Sequence, residues 1–88
     1  MYLHIGQDRL IKTDDIIGIF DLDSSTVSVR TRDFLRRRQL AGSIVAVGQE
    51  LPKSFILCRD KKGNDTVYLS QISPGTLLKR VKSGANRM

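Results

Sequence analysis

Residues 55–70, FILCRDKKGNDTVYLS, read as a β-hairpin, because two apolar runs, 55–59 and 66–70, flank the polar segment 61–65 that contains Gly63. Toward the N-terminus, residues 43–47, SIVAV, follow Gly42 with the same strand character. Residues 16–20, IIGIF, are a short β-branched run ending in an Asp/Ser cluster and read as a buried strand, and residues 2–5 alternate weakly as a first strand. Four to five strands result, the last two pairing antiparallel.

Two helices are inserted among them. The first is expected at 31–41, where, at about 100° per residue, Phe34, Leu35 and Ala41 share one side and Gly42 supplies the stop. On that wheel Arg32 and Arg36 lie opposite Phe34, Arg37 flanks the apolar stripe and Arg38 points into it. An unpaired buried guanidinium is costly, so Arg38 must snorkel, meet a carboxylate or face another subunit. The second helix begins at Ser73-Pro74, an N-cap followed by proline at the first helical position, and turns Leu77, Leu78 and Val81 inward. Lys79, Arg80 and Lys82 near its end complement the helix dipole. The fold class is α+β, a small mostly antiparallel sheet with two helices in one domain over residues 1–82, and residues 83–88 have nothing to bury and read as a disordered tail.

Charge is polarised along the chain. Of a net +6 over 88 residues, residues 30–38 hold +4 while residues 1–25 stand at −3. Localised surplus charge concentrates a polyanion, which is the electrostatic footprint of a nucleic-acid binder. A domain this small buries a modest share of its surface, and self-association is a common way to gain more. No stretch approaches the ~20 apolar residues that cross a bilayer, and MYLHIGQD at the start lacks a basic-then-apolar leader pattern. A cytoplasmic protein without membrane contact is expected, and the single Cys58 in an apolar run reads as a buried thiol.

Catalysis finds little to work with. The run IIGIFDLD imitates the apolar-then-Asp-x-Asp signature of phosphotransferases, but those enzymes need a large parallel α/β scaffold and further Mg²⁺ ligands. Asp21 and Asp23 read instead as turn or capping groups, or as partners for a neighbour's arginines. His4 has no second histidine, Lys53-Ser54 has no oxyanion-hole motif, and the glycines are scattered rather than grouped into a phosphate loop. No enzyme activity, cofactor or metal is expected. The aromatic residues sit mostly in apolar runs, which argues against a stacking platform for single strands, and no helix-turn-helix, zinc-finger or RNA-recognition signature is present. Duplex DNA held through its backbone is the better ligand, with Arg30, Arg32, Arg36, Arg37 and the loop residue Lys53 as phosphate contacts. Arg38, Asp21 and Asp23 are candidates for contacts between subunits.

Taken together, MYLHIG at 1–6, IIGIFDLD at 16–23, TRDFL at 31–35, LPKSF at 51–55, VYLSQIS at 67–73 and TLLKR at 76–80 resemble the extracellular matrix regulatory protein B (RemB, YaaB-like) family, over about residues 1–80. The resemblance implies a small cytoplasmic bacterial regulator of biofilm matrix genes. The sister family, matrix regulator A, is similar in fold to LytTR DNA-binding domains, closes into rings and binds promoter DNA through a multivalent basic surface. Where the sister family carries Asn-Arg before the strand corresponding to IIGIF, and Arg-Arg in the loop corresponding to LPKS, this chain has Asp14-Asp15 and Leu51-Pro52-Lys53. That departure shifts cationic contact toward the arginine-rich segment 30–38. Two functions follow: a DNA-binding regulator working as a homo-oligomeric ring, or an interaction module that modulates a partner such as the sister matrix regulator.

Overall fold

The computed structural model describes residues 1–22, 29–49 and 51–84. Asp23, Glu50 and residues 85–88 lie outside the described residues, while Ser83 and Gly84 close the last helical turn. In chain order the elements are β1 (Tyr2–His4), β2 (Leu10–Lys12), a 3-10 turn (Thr13–Asp15), β3 (Ile16–Asp21), α1 (Val29–Leu40), β4 (Ile44–Ala46), β5 (Ser54–Arg59), β6 (Asp65–Ser70), α2 (Pro74–Lys79) and a closing π-turn (Arg80–Gly84). The four-stranded sheet runs β3-β5-β6-β4, and β1 with β2 forms a separate two-stranded sheet.

The β5–β6 hairpin is the centre of the sheet. Its register runs from Arg59↔Asp65 to Ser54↔Ser70, and β3 pairs antiparallel along the other side of β5. Because side chains alternate across a strand, the sheet has two faces. On one, Ile56 and Cys58 meet Leu3, Ile5 and Ile11 of the β1–β2 hairpin, Val47 and Leu77 of α2, with Ile16, Ile19, Tyr68, Ile72 and Val81 packed around them. Two buried serines lock this layer: Ser54 Oγ donates to the Ile72 carbonyl and Ser70 Oγ to the Ile5 carbonyl, each at 2.8 Å. On the opposite face Phe55 and Val67 are buried beneath α1.

Both helices end as their sequences dictate. Ser73 caps α2 by accepting from the Thr76 N–H, with Pro74 next. At the end of α1, Ser43 N–H donates to the Arg38 carbonyl at 2.9 Å and Gly42 N–H to the Gln39 carbonyl at 3.1 Å. This paired reversal is a Schellman motif, and it needs a left-handed residue, which Gly42 supplies at φ +72°.

Several sequence expectations need correction. The described residues hold six strands in two sheets rather than four to five in one, because β2 is created by backbone pairing with β1, from Tyr2↔Lys12 to His4↔Leu10, and three residues show no periodicity. The pairing among the described residues is mostly antiparallel, as expected, with β4 alone parallel to β6. Strand β3 is an edge strand rather than a buried one. A bulge between Ile16 and Gly18 turns Ile17 outward to 52 % exposure, and no residue of β3 is fully buried, because only one side of the strand is paired. The first helix spans Val29–Leu40 rather than 31–41, leaving Ala41 outside it. Leu78 is 44 % exposed, because adjacent helix positions lie about 100° apart and α2 is too short to bury both it and Leu77.

Candidate functional site

Helix α1 sets out the arginines as the wheel predicts. Phe34 and Leu35 face the sheet half-buried, while Arg30, Arg32, Arg36 and Arg37 are exposed. They occupy both flanks of the helix. Arg32 and Arg36 line a cleft of about 310 Å³ with Leu22, Leu35 and Leu69. Arg30 lines one of about 270 Å³ with Phe20, Phe34 and Phe55, and Arg37 lies beside Asp33 and Leu40. Among the described residues none of these four forms a salt bridge, though Arg37 Nε donates to the Asp33 carbonyl at 3.4 Å.

Lys53 is exposed just before β5. Its carbonyl accepts from Leu22 N–H at 3.0 Å and its N–H donates to the Ser70 carbonyl at 2.8 Å. Lys53 is thereby tied to Leu22, a wall of the cleft that Arg32 and Arg36 also line. Arg30 falls on the other flank. Asp21 ends β3 opposite Ser54, at the Lys53 end of the sheet, and Asp23 lies outside the described residues.

Of the three courses open to Arg38, the fold supplies a carboxylate. Its guanidinium, half-buried, bonds Asp65 at 3.1 Å and lies over the Phe34 ring at 5.2 Å from the centroid. Arg59 closes on the same carboxylate, at 2.6 Å through Nε and 3.1 Å through Nη2. The Arg59 hydrogen bonds first, then the charges of Arg59 and Arg38, hold the Asp65 carboxyl below the usual carboxylate range. Sequence reading missed this three-membered cluster. Counting outward from the hairpin loop places Arg59 opposite Asp65, but Arg38 stands 27 residues from its partner and gives no local signal.

The remaining candidates fall into structural positions. Cys58 is buried against the core, and that burial, with the nearby Asp15 charge second, pushes its thiol up to about 11. His4 receives Arg80 Nη1 at its carbonyl, 3.1 Å, and at Nδ1, 3.4 Å, tying the end of α2 to β1. Among the described residues no group of three or more His, Cys, Asp or Glu could hold a metal ion, and no helix is long and apolar enough to cross a membrane.

A mixed sheet backed on one side by an apolar layer and on the other by an arginine-lined helix defines a class of small α+β domain with one basic face. The profile of the "Extracellular matrix regulatory protein A-like" family matches residues 2–81. Extracellular matrix regulatory protein B of Bacillus subtilis (strain 168) is 32 % identical over 82 residues, covering 93 % of this chain and 91 % of that protein. The chain belongs to the RemA-like family of extracellular matrix regulators.

Proposed function

We propose that this protein regulates transcription of biofilm extracellular-matrix genes by binding duplex DNA, as a LytTR-like domain assembled into an oligomeric ring that presents a multivalent basic surface. The observation that carries the reading is the outer face of α1, where Arg30, Arg32, Arg36 and Arg37 stand exposed and form no salt bridge among the described residues. Cations so placed bind phosphates without reading bases, so affinity comes from the number of copies engaged. The ring draws support from the small size of the domain, which favours self-association, and from head-to-tail contacts, which generate rings where the rotation closes.

A salt titration on long duplex DNA tests the reading. If an assembly engages about six phosphates, log affinity falls with log salt at a slope near −5, at about −0.9 per phosphate. Sequence discrimination on short duplexes should be weak. Light scattering returning the monomer mass of 9.9 kDa at micromolar concentration removes the ring. The absence of any complex at about 50 mM salt removes DNA binding and leaves the protein-interaction module, its arginines facing an acidic partner.

A further inference from the structure

The tip of the β5–β6 hairpin is a cationic element that the surface described above does not include. Lys61 and Lys62 are both exposed, and neither forms a salt bridge among the described residues. The tip is held rigid by its own hydrogen bonds. The Asp60 carboxylate accepts from the backbone N–H groups of Lys62 and Asn64, each at 2.9 Å, and from the Asn64 side chain at 3.3 Å. Asp60 N–H in turn donates to the Asn64 carbonyl, and Gly63 N–H to that of Asp60, both at 3.0 Å. These bonds, that from Asn64 N–H foremost, hold the Asp60 carboxyl below its ordinary range. Its oxygens are engaged by loop amides and not by the lysine ammonium groups.

The tip is also joined to α1. The ladder pair Arg59↔Asp65 flanks it, and Arg38 of the helix bonds the same Asp65. Lys61 stands two residues beyond Arg59 and Lys62 three before Asp65, so at no more than about 3.6 Å per residue both Cα atoms lie within about 11 Å of that pair. This is close to the Debye length of about 8–10 Å near physiological salt. The lysines therefore lie within about a Debye length of the pair to which Arg38 of the helix is bonded.

Resting on the DNA-binding reading above, we propose that the hairpin tip is a second phosphate-contacting element, with Lys61 and Lys62 on the duplex backbone beside the C-terminal turn of α1. Asp65 is the positioning residue that fixes tip and helix in one register through Arg59 and Arg38. Phosphate contacts set the orientation of a protein on a duplex, and two elements rigidly linked hold that orientation better than one.

The test uses the full chain on a long duplex from 50 to 200 mM salt. Lys61→Ala with Lys62→Ala removes two contacts from each engaged copy, so the salt slope becomes shallower by about 1.8 per engaged copy, and for each such copy the wild-type affinity falls about 12-fold further than the variant's over that range. Thermal melting and assembly mass should be unchanged, and Lys61→Arg with Lys62→Arg should restore the slope. Asp65→Ala adds one unit of net positive charge yet should weaken binding, an outcome opposite to that of a charge count. A wild-type slope in the lysine variant, with Arg32→Ala/Arg36→Ala still flattening it, overturns the tip while DNA binding stands. Tighter binding by Asp65→Ala overturns its positioning role. No complex with the wild-type chain overturns both readings and turns the lysines toward an acidic protein surface.

Discussion

The two faces of the central sheet are built on different principles. Beneath the β1–β2 hairpin and α2, Leu3, Ile5, Ile56 and Leu77 are each at most 1 % exposed, and the buried serines there are hydrogen-bonded. Beneath α1, Phe55 and Val67 are buried, but the helix residues that cover them, Phe34 and Leu35, are only half-buried, and Phe20 remains 40 % exposed. Phe20 stacks on Phe55 at 4.8 Å and lies over Gly18, where a Cβ would come within 2.6 Å of its ring. The first face excludes water and supplies most of the apolar burial. On the second, a helix rich in arginine is held by a thin apolar stripe and one charge cluster. Stability and charge are thus segregated onto opposite faces, and the arginine-bearing surface can change without touching the main core.

The largest separation between the faces should come from large-to-small substitutions. Leu77→Ala removes a fully buried side chain from the dry layer and should cost about 2–5 kcal/mol, a large part of the ~5–15 kcal/mol that holds a domain together. A fully buried phenylalanine costs about 3–5 kcal/mol to truncate, and the half-buried Phe34 should lose roughly half of that on Phe34→Ala, about 2 kcal/mol. Denaturant melts of the two variants check the order. A Phe34 variant less stable than the Leu77 variant would mean that α1 belongs to the main core.

The same contrast explains what the sequence disclosed. The hairpin at 55–70 was legible because two apolar runs around a glycine-containing loop are local signals, and α2 because Ser73-Pro74 marks its start. The exposure of Arg32 and Arg36 followed from their position opposite Phe34 on the helix wheel. The features missed are those set by distant pairing. The parallel pairing of β4 with β6 is set by distant chain, and the edge position of β3 leaves no mark in an apolar run read by itself. The partner of Arg38 emerges only when β6 is placed beneath the helix.

Acid should loosen the charged face first. The Asp65 carboxyl is held below its unfolded value by Arg59 and Arg38, so its contribution is present above the ordinary carboxylate pKa of about 4 and is lost as pH falls through the lowered folded value. Asp60 in the hairpin tip follows the same sign. Amide exchange of residues 36–40, corrected for its intrinsic pH dependence, should therefore keep constant protection from pH 8 to about 4.5 and lose it below about 4, while residues 56–58 stay protected. In Asp65→Asn the protection of residues 36–40 should no longer depend on pH in that range. Loss of protection in both segments at one pH would mean that the two faces open as a unit.

The smallest expected effect is also the sharpest discriminator. Arg32 and Arg36 are exposed on the side of α1 turned away from Phe34, and neither is bonded to a carboxylate among the described residues. Replacing both with alanine, the best helix former, should leave stability within about 0.5 kcal/mol and preserve the assembly mass. On DNA the same variant should lose affinity alike on every sequence, with a flatter salt slope, because phosphate contacts carry no base information. Lys53→Ala should act in the same sense but less, since it removes one cation at the Leu22 side of that cleft rather than two from its wall. A double-arginine variant that melts much earlier than the wild type breaks the division of labour between the faces, since the arginines would then be holding the helix in place. If it melts with the wild type and keeps the wild-type salt slope, the helix face is not the DNA contact.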